Sequence, residues 1–402
     1  MIKSCVAAVF LVAATAASAQ EFFDEFDRRL TFSALNDNVR ARISGTLDLE
    51  YYHFAQPAPG LIDVEDGHDL FNPRLTIFFD AQLGPTLYFF SQTRVDRHFD
   101  PSDRGAQIRL DEYALRFTPW KDGRFSLQAG KFATVFGVWV TRHLSWDNTF
   151  VTAPLVYENA LTLEDMAAPR LPFYGHRRDE KHEYFSEISG PSYASGVSVA
   201  GRFSKFDYAL EVKNGSLSSR PESWDLTRVG FDNPTVNGRI GFRPNEAWNF
   251  GFSASDGAYL RSEAETSLPP GKDIGDYHER VFAQDISFEH HHLQLWAEVH
   301  EARFEIPRLG DGDTVGYFIE AKYKITPQLI GALRWNQQFF DEVPTGNGSG
   351  RQVPWAPNIS RLEVAATYRF TEHMHLKIEY YFEDEKGRDL SHNLATQFTI
   401  RF

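Results

Sequence analysis

Cysteine is almost missing from this chain of 402 residues: there is one, Cys5. A fold stapled by disulfides is therefore excluded. Long apolar runs are missing too. Past the first twenty positions no stretch reaches the roughly 18 residues a helical membrane span requires. Positive charge is in deficit, with 41 Lys and Arg against 55 Asp and Glu and a net charge of −14. That balance excludes nucleic acid as a general partner, which would need a basic footprint. What the chain has in plenty is aromatic residues, 15% of a sequence that is polar on average. A ring-rich, polar, cysteine-poor chain leaves two all-β readings, a soluble sandwich and an outer-membrane barrel.

Residues 1–19 read as an export signal. Lys3 begins it, an apolar stretch runs from Val6 to Ala14, and Ala17-Ser18-Ala19 provides a small-residue exit before Gln20. Cys5 falls inside it. After that point the dominant period is two. Leu47, Leu49 and Tyr51 alternate with Thr46, Asp48 and Glu50; Leu362, Val364 and Tyr368 alternate with Arg361, Glu363 and Thr367. The pattern predicts strands at 39–54, 72–83, 86–97, 106–118, 124–134, 194–203, 206–214, 235–243, 247–255, 279–289, 292–304, 313–324, 328–340, 359–370, 374–384 and 392–402. In 106–118 the apolar parity switches, which predicts a bulge near Asp111 and Glu112. In 124–134, Lys131 shares the side of Leu127 and Ala129, so its facing stays open.

The breaks decide between the two readings. Short connections such as Gly84-Pro85, Ser204-Lys205 and His290-His291 alternate strictly with long ones, near 55–71, 98–105, 135–193, 215–234, 256–278, 305–312, 341–358 and 385–391. Short periplasmic turns against longer outer loops, with an even number of strands, is the outer-membrane pattern. Aromatic residues gather beside the short turns (Phe117, Trp120, Phe203, Phe206, Phe242, Trp248 and Phe370), as at a bilayer boundary. The chain closes on Phe398-Thr399-Ile400-Arg401-Phe402, which resembles the C-terminal signature that barrel-assembly machinery reads. The expected fold is all-β: a transmembrane antiparallel up-and-down β-barrel of about sixteen strands over 39–402. A segment at 20–38 precedes it, where Phe22, Phe23, Phe26 and Leu30 have helical spacing.

Several runs resemble the phosphate-selective porin O and P family: Leu127-Gln-Ala-Gly-Lys-Phe-Ala-Thr-Val-Phe-Gly137, Tyr208-Ala-Leu-Glu-Val-Lys-Asn-Gly215, Val236-Asn-Gly-Arg-Ile-Gly-Phe-Arg-Pro244 and Gly316-Tyr-Phe-Ile-Glu-Ala-Lys-Tyr-Lys-Ile-Thr326. The resemblance implies an outer-membrane channel, monomeric or homotrimeric, embedded in outer-membrane lipid and passing ions and small polar solutes. It departs from the family in having no dense lysine cluster in the long loops.

Alternation makes Arg40, Arg42, Arg74, Arg94, Arg116, Arg239, Arg243, Arg334, Arg361, Arg369 and Lys377 candidate lumen cations. Asp48, Glu50, Glu298, Glu320, Glu363 and Glu379 are the facing carboxylates. Rings of charge set ion preference in such pores, so the wall points to a weak anion preference, while most of the acidity falls in the long loops. Segment 135–193 is the third outer connection and far longer than the rest. Folded inward it would narrow the pore, with Arg142, Asp147, Glu158, Glu164, Asp165 and Arg170 as constriction candidates. Neither a cofactor nor a metal motif stands out. His290-His291-His292 falls on a turn, and Gly310-Asp-Gly-Asp-Thr314 has no Glu at the spacing of a calcium loop. An enzymatic barrel would need a nucleophile beside a base, but Ser391 and His392 are adjacent on a strand and face opposite ways. A non-conducting surface barrel is the remaining alternative.

Overall fold

The computed structural model describes residues 20–55, 68–96, 107–176, 184–219 and 230–402. The expected export signal, Cys5 included, lies outside them. The strands are β1 (Thr31–Ala34), β2 (Val39–His53), β3 (Asp69–Leu83), β4 (Leu87–Asp96), β5 (Gln107–Phe117), β6 (Ser126–Phe132), β7 (Ala194–Phe203), β8 (Phe206–Lys213), β9 (Thr235–Phe242), β10 (Trp248–Ala258), β11 (His278–His290), β12 (Leu293–Ile306), β13 (Gly310–Lys324), β14 (Leu329–Phe340), β15 (Glu342–Pro344), β16 (Gln352–Pro354), β17 (Ile359–Arg369), β18 (Met374–Glu385) and β19 (Ser391–Arg401).

Sixteen of these form one closed antiparallel barrel, each paired with its neighbours in chain order. The ring shuts where β19 meets β2, from Leu394 opposite His53 to Arg401 opposite Thr46. Closure removes every free sheet edge, the condition for strands to cross a bilayer. The short strand β1 stays outside the ring and pairs with β2 from Thr31 opposite Arg42 to Ala34 opposite Val39, in line beyond the end of β19. Helix 20–29 leads into it. Its Phe26 ring lies 5.7 Å from that of Phe402, and Asp24 hydrogen-bonds His373 at 2.9 Å, so the helix sits on the rim beside the seam. Strands β15 and β16 make a small hairpin in an outer loop.

Alternation divides the two faces. Leu49, Tyr51, Ile77, Ile319, Leu333 and Ile378 are exposed on the outside, whereas Asp48, Glu50, Glu320, Arg334, Glu363 and Glu379 are buried within. Only an apolar surrounding makes such an exterior stable. The end with short turns, here the inner end, carries exposed Phe117, Trp120, Phe203, Phe206, Phe242 and Phe370. Rings pair around it, Phe206 with Phe242 at 5.0 Å and Trp248 with Phe288 at 4.5 Å.

The bulge is at Asp111: Gln92 faces Glu112 and Thr93 faces Leu110, leaving Asp111 unopposed. In β6 the backbone turns at Gly130, whose φ of 142° is one that a side chain would resist. That break lets Lys131 leave the side of Leu127 and Ala129, and its Nζ donates to the Leu110 carbonyl at 3.1 Å.

The strict short–long alternation needs correcting at two places. The inner link 118–125 is long, and the outer link 307–309 between β12 and β13 is short. The second has a clear cause. Along β12, Leu295, Ala297 and Val299 face outward and Gln294, Trp296 and Glu298 inward; beyond His300 the outward set becomes Glu301, Arg303 and Glu305 and the inward set Ala302, Phe304 and Ile306. Polarity inverts while the strand continues. β13 does the same, with Asp311 and Asp313 outward past Val315. These outer ends have the pattern of a water-soluble sheet, charged outside over an apolar interior.

Candidate functional site: the waist of the barrel

Residues 133–163 and 184–193 of the segment between β6 and β7 pack inside the barrel. Wall carboxylates accept its backbone and side-chain donors. Glu112 takes the Ala133 N–H at 2.7 Å; Glu211 takes the Thr134 hydroxyl at 2.6 Å and the Val135 N–H at 3.3 Å. Glu298 accepts from Val138 at 2.7 Å, from Trp139 at 3.4 Å and from the Tyr157 hydroxyl. Glu379 accepts from Val151 at 2.6 Å and Thr152 at 3.1 Å. Hydrogen bonds to charged groups contribute about 1.5–3 kcal/mol each, so together they fix this segment firmly.

Ion pairs add to the seat. Arg142 holds Glu320 through two bonds of 2.5 and 3.1 Å, and its guanidinium lies 4.2 Å from the Trp296 ring. Arg334, fully buried, bonds Glu363 at 2.9 Å and reaches the Thr152 and Ala153 carbonyls, each at 3.1 Å. Arg361 meets Glu158 at 2.6 Å, and Lys377 donates to the Ser145 carbonyl.

The loop packs most extensively on one side of the lumen. Val156, Tyr157, Leu161, Leu163, Phe185 and Ile188 pack with Val281, Ala283, Ala302, Phe304, Phe318 and Phe340 of the wall. Tyr259 and Trp355 of the outer loops complete this apolar body. Gly316 is needed where it touches β13, because a Cβ there would sit 2.5 Å from Val156. On the opposite side, between the loop and β2, β3, β4 and β19, a cavity of about 100 Å³ remains. Asp48, Glu50, Arg74 and Arg94 line its wall, and Trp139, Phe150 and Glu158 its loop side. Arg74 bridges Glu50 at 2.6 Å and Asp48 at 3.3 Å. Arg94 lies 3.0 Å from Asp111 and 3.5 Å from Asp96. His143, also on the lining, bonds the Val140 carbonyl and the Tyr193 hydroxyl. Burial pushes its pKa down to about 4, so it adds no charge at neutral pH.

The remaining sequence candidates are spread along the axis. Arg40, Arg42 and Arg243 lie at the inner rim, exposed and paired with Asp37, Asp27 and Asp207. Arg116 bonds Gln128 at 2.9 Å, and Arg239 sits between Asp207 at 3.2 Å and Asp285 at 2.7 Å. Arg369 and Asp147 border a second, smaller cavity with Lys377 on the inner side of the loop. Glu164, Asp165 and Arg170 are not at the waist. Glu164 bridges Tyr184, the Asp165 carbonyl accepts from Arg261, and Arg170 borders an outer surface pocket with Tyr174. Sequence reasoning missed Arg109, Glu211, Lys322 and Arg401. The signal for Glu211 was present, since it alternates with Leu210 and Val212; Arg109 was hidden by the bulge.

Neither a family model nor a curated protein sequence matches the chain. Solved structures do match the fold. The anion-selective porin from Comamonas acidovorans aligns with a TM-score of 0.56 at 9% identity, covering 90% of this chain and 100% of that one. The outer membrane channel DcaP of Acinetobacter baumannii gives 0.56 at 10% identity, covering 92% and 99%. In-vitro folded OmpT, an outer membrane protein of Vibrio cholerae in a trimer form, gives 0.54 at 10%, covering 90% and 99%. At these identities the likeness is one of fold: this chain has the barrel architecture of outer-membrane porins.

Proposed function

We propose that the chain is an outer-membrane channel of a Gram-negative bacterium for passive diffusion of ions and small polar solutes. The observation that carries the reading is the incomplete filling of the lumen. The inserted loop closes the apolar side and leaves a polar, charge-lined cavity beside Asp48, Glu50, Arg74 and Arg94. A passage walled by fixed opposite charges favours small hydrated solutes over apolar ones. Ion pairing across it keeps binding weak, as flux requires. In this reading residues 1–19 direct export, 20–38 lie in the periplasm, the inner end is periplasmic, and Phe402 presents the last strand to the assembly machinery. The exposed apolar exterior meets outer-membrane lipid. A homotrimer is supported by the trimer form of one fold neighbour.

The test is single-channel conductance of the refolded mature chain in a planar bilayer under a salt gradient. Stable current steps are expected, with a reversal potential on the anion-preferring side. A folded barrel without conductance would return the chain to a non-conducting surface barrel, with 133–193 acting as a plug.

A further inference from the structure

Inward-facing cations differ with depth. At the level of the loop, Arg74, Arg94, Arg142, Arg239, Arg334 and Arg361 all stand in ion pairs. Directly on the inner side of the loop a cluster of cations goes unpaired, although Arg40, Arg42 and Arg243 at the rim below it are paired again. Lys322, Arg369 and Lys377 line the smaller cavity there with Trp146, and the Arg401 guanidinium lies 4.2 Å from the Trp146 ring. None of these four cations is in an ion pair among the described residues; Lys377 and Arg401 donate to backbone carbonyls instead. His375, 1% exposed and stacked on Trp146 at 4.4 Å, keeps both ring nitrogens without a partner on the same cavity. Among the described residues Asp147 is the one carboxylate on that lining. The lumen therefore has a charge-balanced waist and, directly on the inner side of the loop, a chamber whose lining carries more positive than negative charge.

We infer that this chain is a rectifying channel, carrying more current in one direction than in the other. The inference rests on the channel reading above. In the positive chamber anions carry nearly all the current; in the balanced waist both signs do. When the outer side is positive, anions leave the chamber for the waist faster than the waist carries them away. Cations arriving from outside cannot enter the chamber and remain there as well. Salt accumulates in the narrowest part and conductance rises. Reversing the field drains both ions from the waist and conductance falls. At 0.1 M salt the screening length of about 10 Å lets clustered charges act together across a narrow lumen.

The experiment is the current–voltage relation of single channels of the mature chain in symmetric 0.1 M potassium chloride. Orientation is fixed by biotin on Lys386→Cys, with streptavidin added to one chamber. The expected result is a current ratio on the order of two favouring outer-side-positive potentials, falling towards one in 1 M salt, where screening shortens to about 3 Å. Lys322→Gln with Arg369→Gln should abolish the asymmetry in a channel that still opens, while Lys322→Arg with Arg369→Lys should keep it. A straight current–voltage line at 0.1 M, or larger current with the outer side negative, would overturn the inference and leave the channel standing. Absence of any current would overturn the channel reading and this one with it.

Discussion

On the β11–β14 side of the interior, the inward residues towards the outer end are Val281, Ala283, Ala302, Phe304, Ile306 and Phe340, and the loop packs on them as on a protein core. Midway along the β2–β4 side the inward residues are Asp48, Glu50, Asn72, Arg74, Gln92 and Arg94, and a cavity remains; only further out, at Tyr52, Phe54 and Leu70, does the loop touch this wall, through Val151. Strand geometry is the same on both sides. What differs is whether the inward row can be dehydrated without cost. An apolar row gains about 25 cal/mol for each Å² removed from water, so it draws the loop onto itself. A charged row loses solvation unless every group is paired, so it keeps its distance or its water. The bore of this barrel is thus set where the loop meets neither an apolar row nor a wall charge that one of its own groups can pair.

The comparison can be broken most severely at Arg334, which ties the loop to β17. Arg334→Ala would leave buried Glu363 with Arg361 alone and buried Glu320 with Arg142 alone. Because a second cation remains at each carboxylate, the loss is expected at or below the low end of the about 3–5 kcal/mol of a fully broken buried pair. It should register as a lower urea midpoint and rapid protease cleavage within 133–193. On the apolar side alone, Leu161→Ala should cost about 2–5 kcal/mol. It should loosen the loop and raise single-channel conductance without moving the reversal potential. On the polar side the opposite split is expected. Arg74→Ala or Arg94→Ala should shift the reversal potential away from anions while protease resistance of the loop stays close to that of the parent. Unchanged reversal potentials in both variants would remove these residues from selectivity.

The smallest effect concerns His143. Its folded pKa, about 4, lies below the ordinary histidine value. The folded form therefore binds fewer protons than the released one between that value and about 6.5, and the seat of the loop weakens as pH falls through this window. His143→Gln should flatten the pH dependence of protease access; an unaltered profile would show that the proton is taken up elsewhere.

Much of the barrel was legible because strand periodicity and turn residues are local signals. All sixteen expected strands occur within three residues of their predicted ends. The bulge at Asp111 followed from one broken alternation. What escaped was the inversion at His300: the adjacent polar pair His300-Glu301 shifts the phase of the alternation, and only the unbroken register shows that the facing continues while the polarity exchanges. A period-two reading carries no information on where the membrane stops. The waist was harder still. Arg142, Glu158 and Asp165 look equivalent along the loop, yet Arg142 and Glu158 grip the wall while Asp165 belongs to the outer body. Depth inside a barrel depends on partners far away in the chain, such as Glu320 and Arg361. Those partners are set by closure of the ring and not by local spacing.

That remoteness has a consequence for biogenesis. Arg142 finds Glu320 across 178 positions, and Thr152 finds Glu379 across 227. Chain threaded into the membrane in order would have β6, β7 and the whole inserted segment in place before either acceptor had arrived. The aperture would therefore be the last dimension to be settled. A barrel stalled before β18 would lack both its seam and the Glu379 hold on Val151 and Thr152, leaving an open, incompletely seated intermediate for quality control to remove.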